Sequence, residues 1–523
     1  MTSTERSIHR WAPLALAGLA VLLALVATSK GPGLTDDSVN YLSTGINVAE
    51  GRGWRMLADQ PITIFPPGVP AVVALGEAVG IEGQLTLRLV SALSFGGIVV
   101  LGHLLLRRVT DQPTVCLGAT ALLAVSPALL GISTMAWSEP LFIVLVLLFL
   151  LALDTVLERR ALRSHDIATL AALASLAFLV RYIGIALVVL AGLALLARLR
   201  PLDRATLVRI VVLGLACVPV PVAVMLRNHA ADGTYLGQRI PSPDSVLDSG
   251  HRILVTLGEW AYPHAAPGSS VLAWLGAAVL AAMAVGAVAA VHAPGERTTV
   301  AVLLGFVLVY TAYLLAASLG TAFEPINSRY LSPVHVPLMA LGSAAVAAAL
   351  RRWPAGQAGR AAGVGLVVLG LLWGSASLDD VWTGASDGIG YNMEPVVDSE
   401  LAAQAVRLTE RDPDAVVYSN LPFALWAATR LQPVRWSPLA EGFRGAPIEG
   451  ELDALVGRVA CAPESSYFVR YRFGHRRAMN LEGVRTALDV KRVVVADDGA
   501  IFELRTRGDV TCQAPPPDAT RPR

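Results

Sequence analysis

The sequence has little charge and almost no lysine. Only 15% of its 523 residues are Asp, Glu, Lys or Arg, whereas 54% are hydrophobic and the mean hydropathy is +0.58. Soluble domains carry about 25% charged residues, so a soluble protein of this composition would lack the polar residues needed to cover its surface. The net charge of +1 provides no global field for a polyanion. We therefore predict a polytopic membrane protein with membrane lipids, and no nucleic acid, as partners.

Several common site motifs are also missing. The four cysteines form no Cys-x-x-Cys pair and no Cys/His cluster, and there is no His-Glu-x-x-His, so no metal site is expected. No internal repeat, P-loop or Gly-x-Gly-x-x-Gly occurs, which gives no indication of a nucleotide cofactor. Only Lys30 and Lys491 are lysines among the 41 basic residues. The base composition of a genome explains such an arginine bias, although arginine is also the better bidentate phosphate ligand.

Charge divides the chain into two parts. Residues 377–523 carry 38 charged residues in 147, whereas residues 1–376 carry 43. We predict a mainly α-helical membrane domain over 1–376, an α/β domain over 377–512 and a disordered tail over 513–523. A bilayer requires about 17–25 apolar residues per helix. Eleven runs are candidate spans, of which 167–181 and 361–376 are slightly shorter than this: 11–28, 85–106, 113–131, 139–157, 167–181, 182–198, 208–226, 270–291, 299–318, 331–349 and 361–376. The stretch 167–198 holds two spans only if each is short or tilted.

The arginines indicate an orientation in the plasma membrane. Basic residues favour cytoplasmic loops, and most of them face inward if the N-terminus is cytoplasmic and the Pro-rich segment 66–82 is a re-entrant or juxtamembrane helix. The first loop (29–66) and the C-terminal domain then lie on the outer, extracytoplasmic face. A cleaved signal peptide over residues 1–28 is the alternative, but this apolar run is longer than a typical signal core. The amphipathic segment Ser245–Tyr262 is expected to lie on the membrane.

The cysteines fit this orientation. Cys116 and Cys217 lie in predicted spans, where they are expected to pack as small apolar residues. Cys461 and Cys512 both lie in the outer domain, where an oxidising compartment preserves disulfides. We predict a disulfide between Cys461 and Cys512, with two buried thiols as the alternative.

Ionisable residues at the outer membrane end are the main functional signal, because such groups are costly in a membrane protein. Widely separated segments bring carboxylates and arginines to this face. They are Asp36, Asp37, Arg52, Arg55 and Asp59 in the first loop, Arg88, Glu139, Arg181 beside Tyr182, and Glu324, Arg329 and Tyr330 in the turn over 319–330. A carboxylate can act as general base towards an acceptor hydroxyl, and arginines can hold a phosphate bidentately as it leaves. Together they indicate glycosyl transfer from a lipid-phosphate sugar.

Each of these residues also has a purely structural interpretation. Asp36 and Asp37 could be solvated loop residues or an N-cap for a helix beginning near Ser38. Arg181 and Arg329 could be membrane-interface anchors. Glu139 followed by Pro140 is typical of a helix N-terminus. Composition alone does not separate these interpretations from the catalytic one.

Four short motifs resemble the GT-C glycosyltransferases, in particular the protein O-mannosyltransferase and aminoarabinose transferase group and its bacterial galacturonosyltransferase-like relatives. The motifs follow the family's order over roughly residues 10–350. They are Asp37-Ser38-Val39-Asn40-Tyr41 with Gly51-Arg52-Gly53 and Phe65-Pro66-Pro67-Gly68, then Trp137-Ser138-Glu139-Pro140, Arg181-Tyr182-Ile183-Gly184, and Ser328-Arg329-Tyr330-Leu331.

The resemblance implies a polyprenyl-phosphate sugar donor, an acceptor on the outer face and inversion at the anomeric carbon. It places the general base on Asp37, with Asp36 as the alternative. Arg181, Arg329 and Tyr330 are expected to bind the donor phosphate, and Glu139 and Tyr41 to orient the loop or the acceptor. Some distant members of the superfamily use a divalent cation, but the sequence contains no residues that demand one, so no cofactor is expected to be required.

The C-terminal domain is predicted from alternating helix and strand patterns. Helices are expected over 396–411 and 421–430, and strands over 414–419, 466–471, 490–496 and 500–505. Asn420, Trp426 and Trp436 could contact a sugar or could simply pack in this domain.

Two other functions compete with a glycosyltransferase acting on an envelope glycan, lipid or protein. One is a lipid-sugar transporter or flippase, a class that often shows internal repeats and charges near mid-membrane, neither of which occurs here. The other is a non-catalytic envelope glycan-binding membrane protein, which would tolerate loss of Asp37.

Overall fold

The computed structural model describes residues 3–57, 59–199, 202–266, 268–291, 297–352, 355–440, 449–462, 465–474, 477–508, 510 and 512. The chain is mostly helical, at 69%. A helical bundle comprises α1 (Ser3–Ala27), α2 (Asp36–Ala49), α3 (Gly68–Ala78), α4 (Gly83–Val109), α5 (Pro113–Ala124), α6 (Pro127–Ser133), α7 (Glu139–Arg159), α8 (Ser164–Val180), α9 (Ile185–Arg198), α10 (Arg204–Ala216), α11 (Pro219–Asp232), α12 (Val246–Ala261), α13 (Ser270–Val291), α14 (Arg297–Gly320), α15 (Ser328–Arg352) and α16 (Ala355–Asp387).

Six helical segments within the described ranges are long and apolar enough to cross a membrane. They are Gly83–Val109, Glu139–Arg159, Arg204–Asp232, Thr298–Gly320, Ser328–Arg352 and Gly359–Asp387. The predicted run 113–131 is instead a pair of helices, α5 and α6, bent by 42°. Shorter apolar helices occupy the other four predicted runs: Trp11–Ala27, Ser164–Val180, Tyr182–Arg198 and Ser270–Val285. The predicted class of membrane protein is supported, but the number eleven is not confirmed.

The first loop folds differently from the predicted N-cap arrangement. Helix α2 begins at Asp36 rather than near Ser38, and Thr35 is its N-cap. Asp36 and Asp37 are therefore first-turn residues, where the helix dipole favours negative charge. Helix α3 falls within the predicted segment 66–82 and has only 11 residues, about 16 Å at 1.5 Å per residue. This length is too short to cross the bilayer, and the re-entrant or juxtamembrane position stays a prediction.

A tight turn links the two short helices α8 and α9. Residues Tyr182–Gly184 form one 3-10 turn, and Arg181 before it has an extended backbone (φ −149°). A Cβ atom at Gly184 would lie 2.5 Å from the carbonyl carbon of Ala177. Glycine therefore allows the turn to fold back on α8.

A five-stranded sheet follows the bundle, in the order β2-β1-β3-β5-β4. Strand β1 (Val416–Ser419) is parallel to β2 (Val434–Trp436) and β3 (Ser466–Tyr471), while β5 (Gly499–Thr506) is antiparallel to β3 and β4 (Leu488–Ala496). The accompanying helices are α17 (Glu394–Val397), α18 (Glu400–Arg411), α19 (Pro422–Thr429), α20 (Glu451–Ala460) and α21 (Leu481–Ala487). The described residues thus contain a small sheet with accompanying helices, and a separate C-terminal α/β domain stays a prediction.

The structure corrects one predicted helix of this region and decides between the two interpretations left open for Asn420 and Trp426. The helix expected over 396–411 is interrupted, because the Ser399 side chain caps α18 by accepting from the Ala402 amide. Asn420 and Trp426 are buried, and Asn420 exchanges two hydrogen bonds with the Tyr471 backbone, so both residues pack inside the unit rather than face a sugar.

The limits of this unit stay a prediction. The boundary placed after residue 376 falls inside α16, which continues to Asp387. A disulfide joins Cys461 and Cys512, whose Cα atoms are 4.7 Å apart, and Cys116 and Cys217 are free and buried. The tail predicted to be disordered (513–523) lies outside the described residues.

Candidate active site

Four charged side chains from separate segments meet at one end of the bundle. Asp37 lies in the first turn of α2, Glu139 is the first residue of α7, Arg181 follows α8, and Arg329 is the second residue of α15. We call Asp37, Glu139, Arg181 and Arg329 the charge cluster. Each of the four lies in the first turn of a helix or directly after a helix, where the backbone changes direction.

Glu139 is the centre of the charge cluster. Its side chain is fully buried, and its Oε1 atom accepts a hydrogen bond from Arg329 Nε at 2.6 Å and another from Arg181 Nη1. Arg181 Nη1 also donates to the hydroxyl of Ser138 at 2.9 Å. A carboxylate buried among apolar helices is costly unless it is paired, and here two guanidinium groups pair with it.

Arg329 links Glu139 to the first loop. Its Nη2 atom donates to Asp37 Oδ2 at 2.6 Å, and its guanidinium carbon lies 4.2 Å from the ring centroid of Trp137. The Trp137 indole in turn donates to the hydroxyl of Thr35, the N-cap of α2, at 2.9 Å. This cation–π contact and the hydrogen bond fix the guanidinium against the start of α2.

Asp37 is the most open member of the charge cluster. Its side chain is 27% exposed, compared with 15% for Arg181, 10% for Arg329 and zero for Glu139. A group that receives a proton from a second substrate must be reachable from solvent, and among these four residues Asp37 best meets that requirement.

Asp36 has a different environment. Its Oδ1 atom accepts a hydrogen bond of 2.6 Å from the Tyr391 hydroxyl, in the segment after α16. Burial raises the pKa of Asp36 and the nearby charge of Asp37 raises it further, while the Tyr391 hydrogen bond opposes both effects. Burial and the neighbouring Asp36 also raise the pKa of Tyr391. The two adjacent carboxylates are thus distinct: one faces Arg329 and solvent, and the other faces the chain leading to the sheet.

The two predicted tyrosines lie beside the charge cluster. The ring centroid of Tyr330 is 5.7 Å from the Arg329 guanidinium carbon and 6.0 Å from that of Arg181. Tyr41 is buried and packs edge-on against Phe65 at 5.1 Å. Tyr41 therefore connects α2 to the Phe-Pro-Pro-Gly stretch, and its loop-orienting role stays a prediction.

Of the other predicted outer-face residues, Arg88 and Arg55 make their contacts outside the charge cluster, whereas Glu324 lies at its edge. Arg88 donates to Leu25 O at 2.8 Å and to the Thr28 hydroxyl at 3.1 Å, so it caps the end of α1. Arg55 forms a local ion pair of 3.2 Å with Asp59. Glu324 is 4.0 Å from Arg329 and 54% exposed, and partial burial raises its pKa.

Sequence reasoning missed Arg239, in the segment between α11 and α12. It donates to the backbone carbonyls of Ile64 at 3.2 Å and Leu236 at 3.1 Å, and no described carboxylate pairs with it. Burial lowers the pKa of its guanidinium, an effect partly opposed by Tyr182, Tyr313 and Tyr330. No motif surrounds Arg239 in the sequence, and an arginine without a carboxylate partner among the described residues can be recognised only once its neighbours in the structure are known.

Metal ligands are not grouped in the described ranges: no three His, Cys, Asp or Glu side chains lie close enough there to hold an ion. Dependence on a divalent cation stays an open prediction that only an activity assay can test.

Comparisons with known proteins extend these observations. No family model matches the chain. A curated relative, undecaprenyl phosphate-alpha-4-amino-4-deoxy-L-arabinose arabinosyl transferase 2 of Pseudomonas fluorescens, is 28% identical over 169 residues. That match covers 32% of this chain and spans only 29% of the relative's length.

Two solved structures are similar over almost the whole chain. ArnT from Cupriavidus metallidurans bound to undecaprenyl phosphate has a TM-score of 0.62 and 15% identity, covering 96% of this chain and 98% of ArnT. The mycobacterial arabinofuranosyltransferase AftD has a TM-score of 0.54 and 17% identity, covering 96% of this chain but 40% of AftD. At such identities the likeness shows the fold. The chain has the fold of the GT-C membrane glycosyltransferases, and the resemblance predicted from four motifs is confirmed at that level.

Proposed function

We propose that this protein is an inverting membrane glycosyltransferase that moves a sugar from a polyprenyl-phosphate donor to an envelope glycan, lipid or protein. The observation that carries the proposal is the charge cluster, in which a solvent-accessible carboxylate and two arginines from motifs distant in sequence converge on a GT-C fold. ArnT, which has a similar fold, binds undecaprenyl phosphate in its solved structure, and this supports a donor of the same class.

The chemistry assigned to Asp37 is proton removal from the acceptor. As the acceptor hydroxyl attacks the anomeric carbon, its proton passes to an Asp37 oxygen, the bond from the anomeric carbon to the phosphate oxygen breaks, and polyprenyl phosphate leaves with the bonding electrons. A single displacement inverts the configuration. The hydrogen bond from Arg329 Nη2 fixes the orientation of the Asp37 carboxylate.

Asp37 is favoured over Asp36 as the base because of their contacts. The Asp36 carboxylate accepts a hydrogen bond from the Tyr391 hydroxyl, so it is better suited to anchoring the start of α2 than to exchanging protons with an acceptor. Asp37 is the preferred base because its side chain is the most solvent-exposed of the charge cluster.

Arg181 and Arg329 are assigned to the leaving phosphate, and Arg239 is assigned to it as a third arginine. Glu139 shares the charge of Arg181 and Arg329, and Asp37 also pairs with Arg329, so the cluster has as many negative as positive charges. An arriving phosphate requires further positive charge in a site with little water. Arg239, which has no carboxylate partner in the described structure, supplies that charge, with Tyr330 and the two cluster arginines completing the phosphate site.

The charge cluster is assigned to the outer face, with the N-terminus in the cytoplasm. Helices α4, α7 and α15 carry arginines in their last turns, at the end away from the charge cluster. The bias of arginine towards cytoplasmic ends then puts the opposite end, with the cluster and the segment leading to the sheet, outside.

The test is donor turnover by the full chain in lipid nanodiscs. A panel of polyprenyl-phosphate sugars is supplied with envelope extract, and release of polyprenyl phosphate is measured for wild type, Asp37→Asn and Asp36→Asn. Loss of a general base lowers the rate by about 10²–10⁴-fold, and this loss is expected for Asp37→Asn, with a smaller effect for Asp36→Asn. Asp59→Asn, an exposed substitution in the same loop, is the control.

Two other outcomes of this experiment would change or reject the proposal. A larger loss in Asp36→Asn than in Asp37→Asn would move the base to Asp36. Absence of release from every donor, combined with sugar-lipid transport or glycan binding by the same preparation, would reject the enzyme in favour of the transporter or the glycan-binding protein.

A further inference from the structure

A groove lies between α4 and α7 at the end of the bundle away from the charge cluster. Its volume is about 550 Å³, and its wall includes Leu101, Leu104, Leu148 and Leu151 together with Arg107 and Arg108. Arg107 lies 24 residues after the start of α4, about 36 Å along a helix. The groove is therefore separate from the site described above.

One of its two arginines is fixed in place. Arg108 Nη1 pairs with Asp154 Oδ2 at 2.8 Å, and its Nη2 donates to the Thr155 hydroxyl at 3.0 Å. Asp154 is fully buried and also accepts from the Thr299 hydroxyl at 2.9 Å. Three helices thus hold the Arg108 guanidinium at the edge of the groove.

The other arginine is free to bind an anion. Arg107 is exposed, and no described carboxylate or other polar group pairs with it. Asp154 pairs with Arg108 alone, so the charge of Arg107 is left over and the groove has a net positive end beside an apolar wall. An occupant that complements both features carries a negative headgroup next to hydrocarbon.

We propose that this groove binds an anionic phospholipid, with its phosphate at Arg107 and Arg108 and an acyl chain along the leucines of α4 and α7. Basic pockets between transmembrane helices at the cytoplasmic face bind anionic headgroups through this combination of charge and apolar surface. In the orientation proposed above, this end of the bundle faces the cytoplasmic leaflet. The site does not depend on the proposed glycosyl transfer, because none of its residues belongs to the charge cluster.

The experiment measures lipid binding by native mass spectrometry and by the shift in Tm of the purified full chain. The probes are phosphatidylglycerol, phosphatidylcholine and inorganic phosphate, and the variants are Arg107→Gln and Arg352→Gln. Arg352 is also an exposed arginine in the last turn of a long helix, but it does not line the groove, so its substitution is the matched control.

Phosphatidylglycerol is expected to bind wild type and Arg352→Gln equally and Arg107→Gln about fivefold more weakly, as loss of one arginine near a charged headgroup predicts. Leu104→Trp, which fills the groove without changing its charge, is expected to weaken phosphatidylglycerol binding as well. The proposal would be overturned if phosphatidylcholine bound as tightly as phosphatidylglycerol, or if Arg352→Gln weakened binding as much as Arg107→Gln. It would also be overturned if inorganic phosphate alone produced the full shift in Tm.

Discussion

Arg329 and Asp37 lie 292 positions apart in the sequence, yet the Nη2 atom of Arg329 donates a 2.6 Å hydrogen bond to the Asp37 carboxylate. The same guanidinium donates to the fully buried Glu139. One arginine thus couples the candidate base in the first loop to the start of α7. Disturbing Glu139 should therefore affect both stability and the position of Asp37.

Glu139→Gln is expected to destabilise the protein and to reduce sugar transfer. Removing one partner of a buried ion pair costs about 3–5 kcal/mol, because Arg181 and Arg329 would lose their shared counterion. Thermal unfolding and donor turnover measure the two effects. Glu324→Gln is the control, since Glu324 is 54% exposed and 4.0 Å from Arg329. An unchanged Tm for Glu139→Gln would contradict a structural role for this ion-pair network.

The convergence of the charge cluster was predictable because the alternating direction of membrane helices brings motif residues to one end of the bundle. Asp37, Glu139, Arg181 and Arg329 were all named from the sequence. Their pairing was not predictable, because hydrogen-bond partners depend on how the helix ends pack. For Glu139, a helix N-terminus and a place in the charge cluster are compatible, since the residue that begins α7 is also the centre of the cluster.

In the sheet, some strands could be predicted from the sequence pattern and others could not. The predicted strands at 466–471 and 500–505 are close to β3 and β5, whose apolar residues alternate or cluster clearly. Strand β2 was missed because it has only three residues, Val434–Trp436, too few for an alternating pattern. The contact between Tyr391 and Asp36 was also missed, because it joins residues 355 positions apart with no motif around Tyr391.

The hydrogen bond between Tyr391 and Asp36 predicts a pH-dependent difference in stability. Burial raises the pKa of Asp36 above 3.8, and the Tyr391 hydroxyl opposes this by stabilising the carboxylate. Tyr391→Phe would raise the pKa of Asp36 further. At a pH between the Asp36 pKa of wild type and that of the variant, the folded variant would therefore bind more protons than folded wild type. We expect the variant to be less stable by about 1.5–3 kcal/mol at neutral pH. This deficit should shrink as the pH falls through the pKa of Asp36.

Thermal unfolding across a pH series measures this effect, with Tyr262→Phe as a control because Tyr262 is 44% exposed. A deficit that is constant with pH, or that grows as the pH falls, would show that Tyr391 does not stabilise an ionised Asp36.

The disulfide predicts sensitivity of the C-terminal unit to reductant. Cys461 and Cys512 are 51 positions apart, and closing a loop of this length stabilises a folded unit by about 4 kcal/mol in the chain-entropy description. The double substitution Cys461→Ser and Cys512→Ser should lower the Tm of the unit, as should reduction of wild type. Reductant should have no further effect on the double variant, because Cys116 and Cys217 are already free thiols. If reductant lowered the Tm of wild type and of the double variant equally, the change would have to come from groups other than the Cys461–Cys512 disulfide.

Arg239 offers a way to change affinity for the donor phosphate without breaking the charge cluster. Substituting Arg181 or Arg329 removes a partner of the buried Glu139, so loss of activity in those variants mixes misfolding with weaker binding. Within the described residues the hydrogen bonds of Arg239 go to backbone carbonyls and not to a carboxylate, and Arg239→Gln should leave the Tm nearly unchanged. A hydrogen bond between a guanidinium and a phosphate is worth about 1.5–3 kcal/mol, so the KM for the polyprenyl-phosphate sugar should rise about tenfold or more.

The matched control is Arg252→Gln, in the neighbouring helix α12, where Arg252 pairs with Asp244 at 3.3 Å. Its KM should stay close to that of wild type if the effect at position 239 is specific. Added salt should also raise the KM of wild type more than that of Arg239→Gln, because one screened contact is already absent from the variant. An unchanged KM in Arg239→Gln would leave phosphate binding to Arg181 and Arg329, whose guanidinium groups would then have to exchange Glu139 or Asp37 for the donor phosphate.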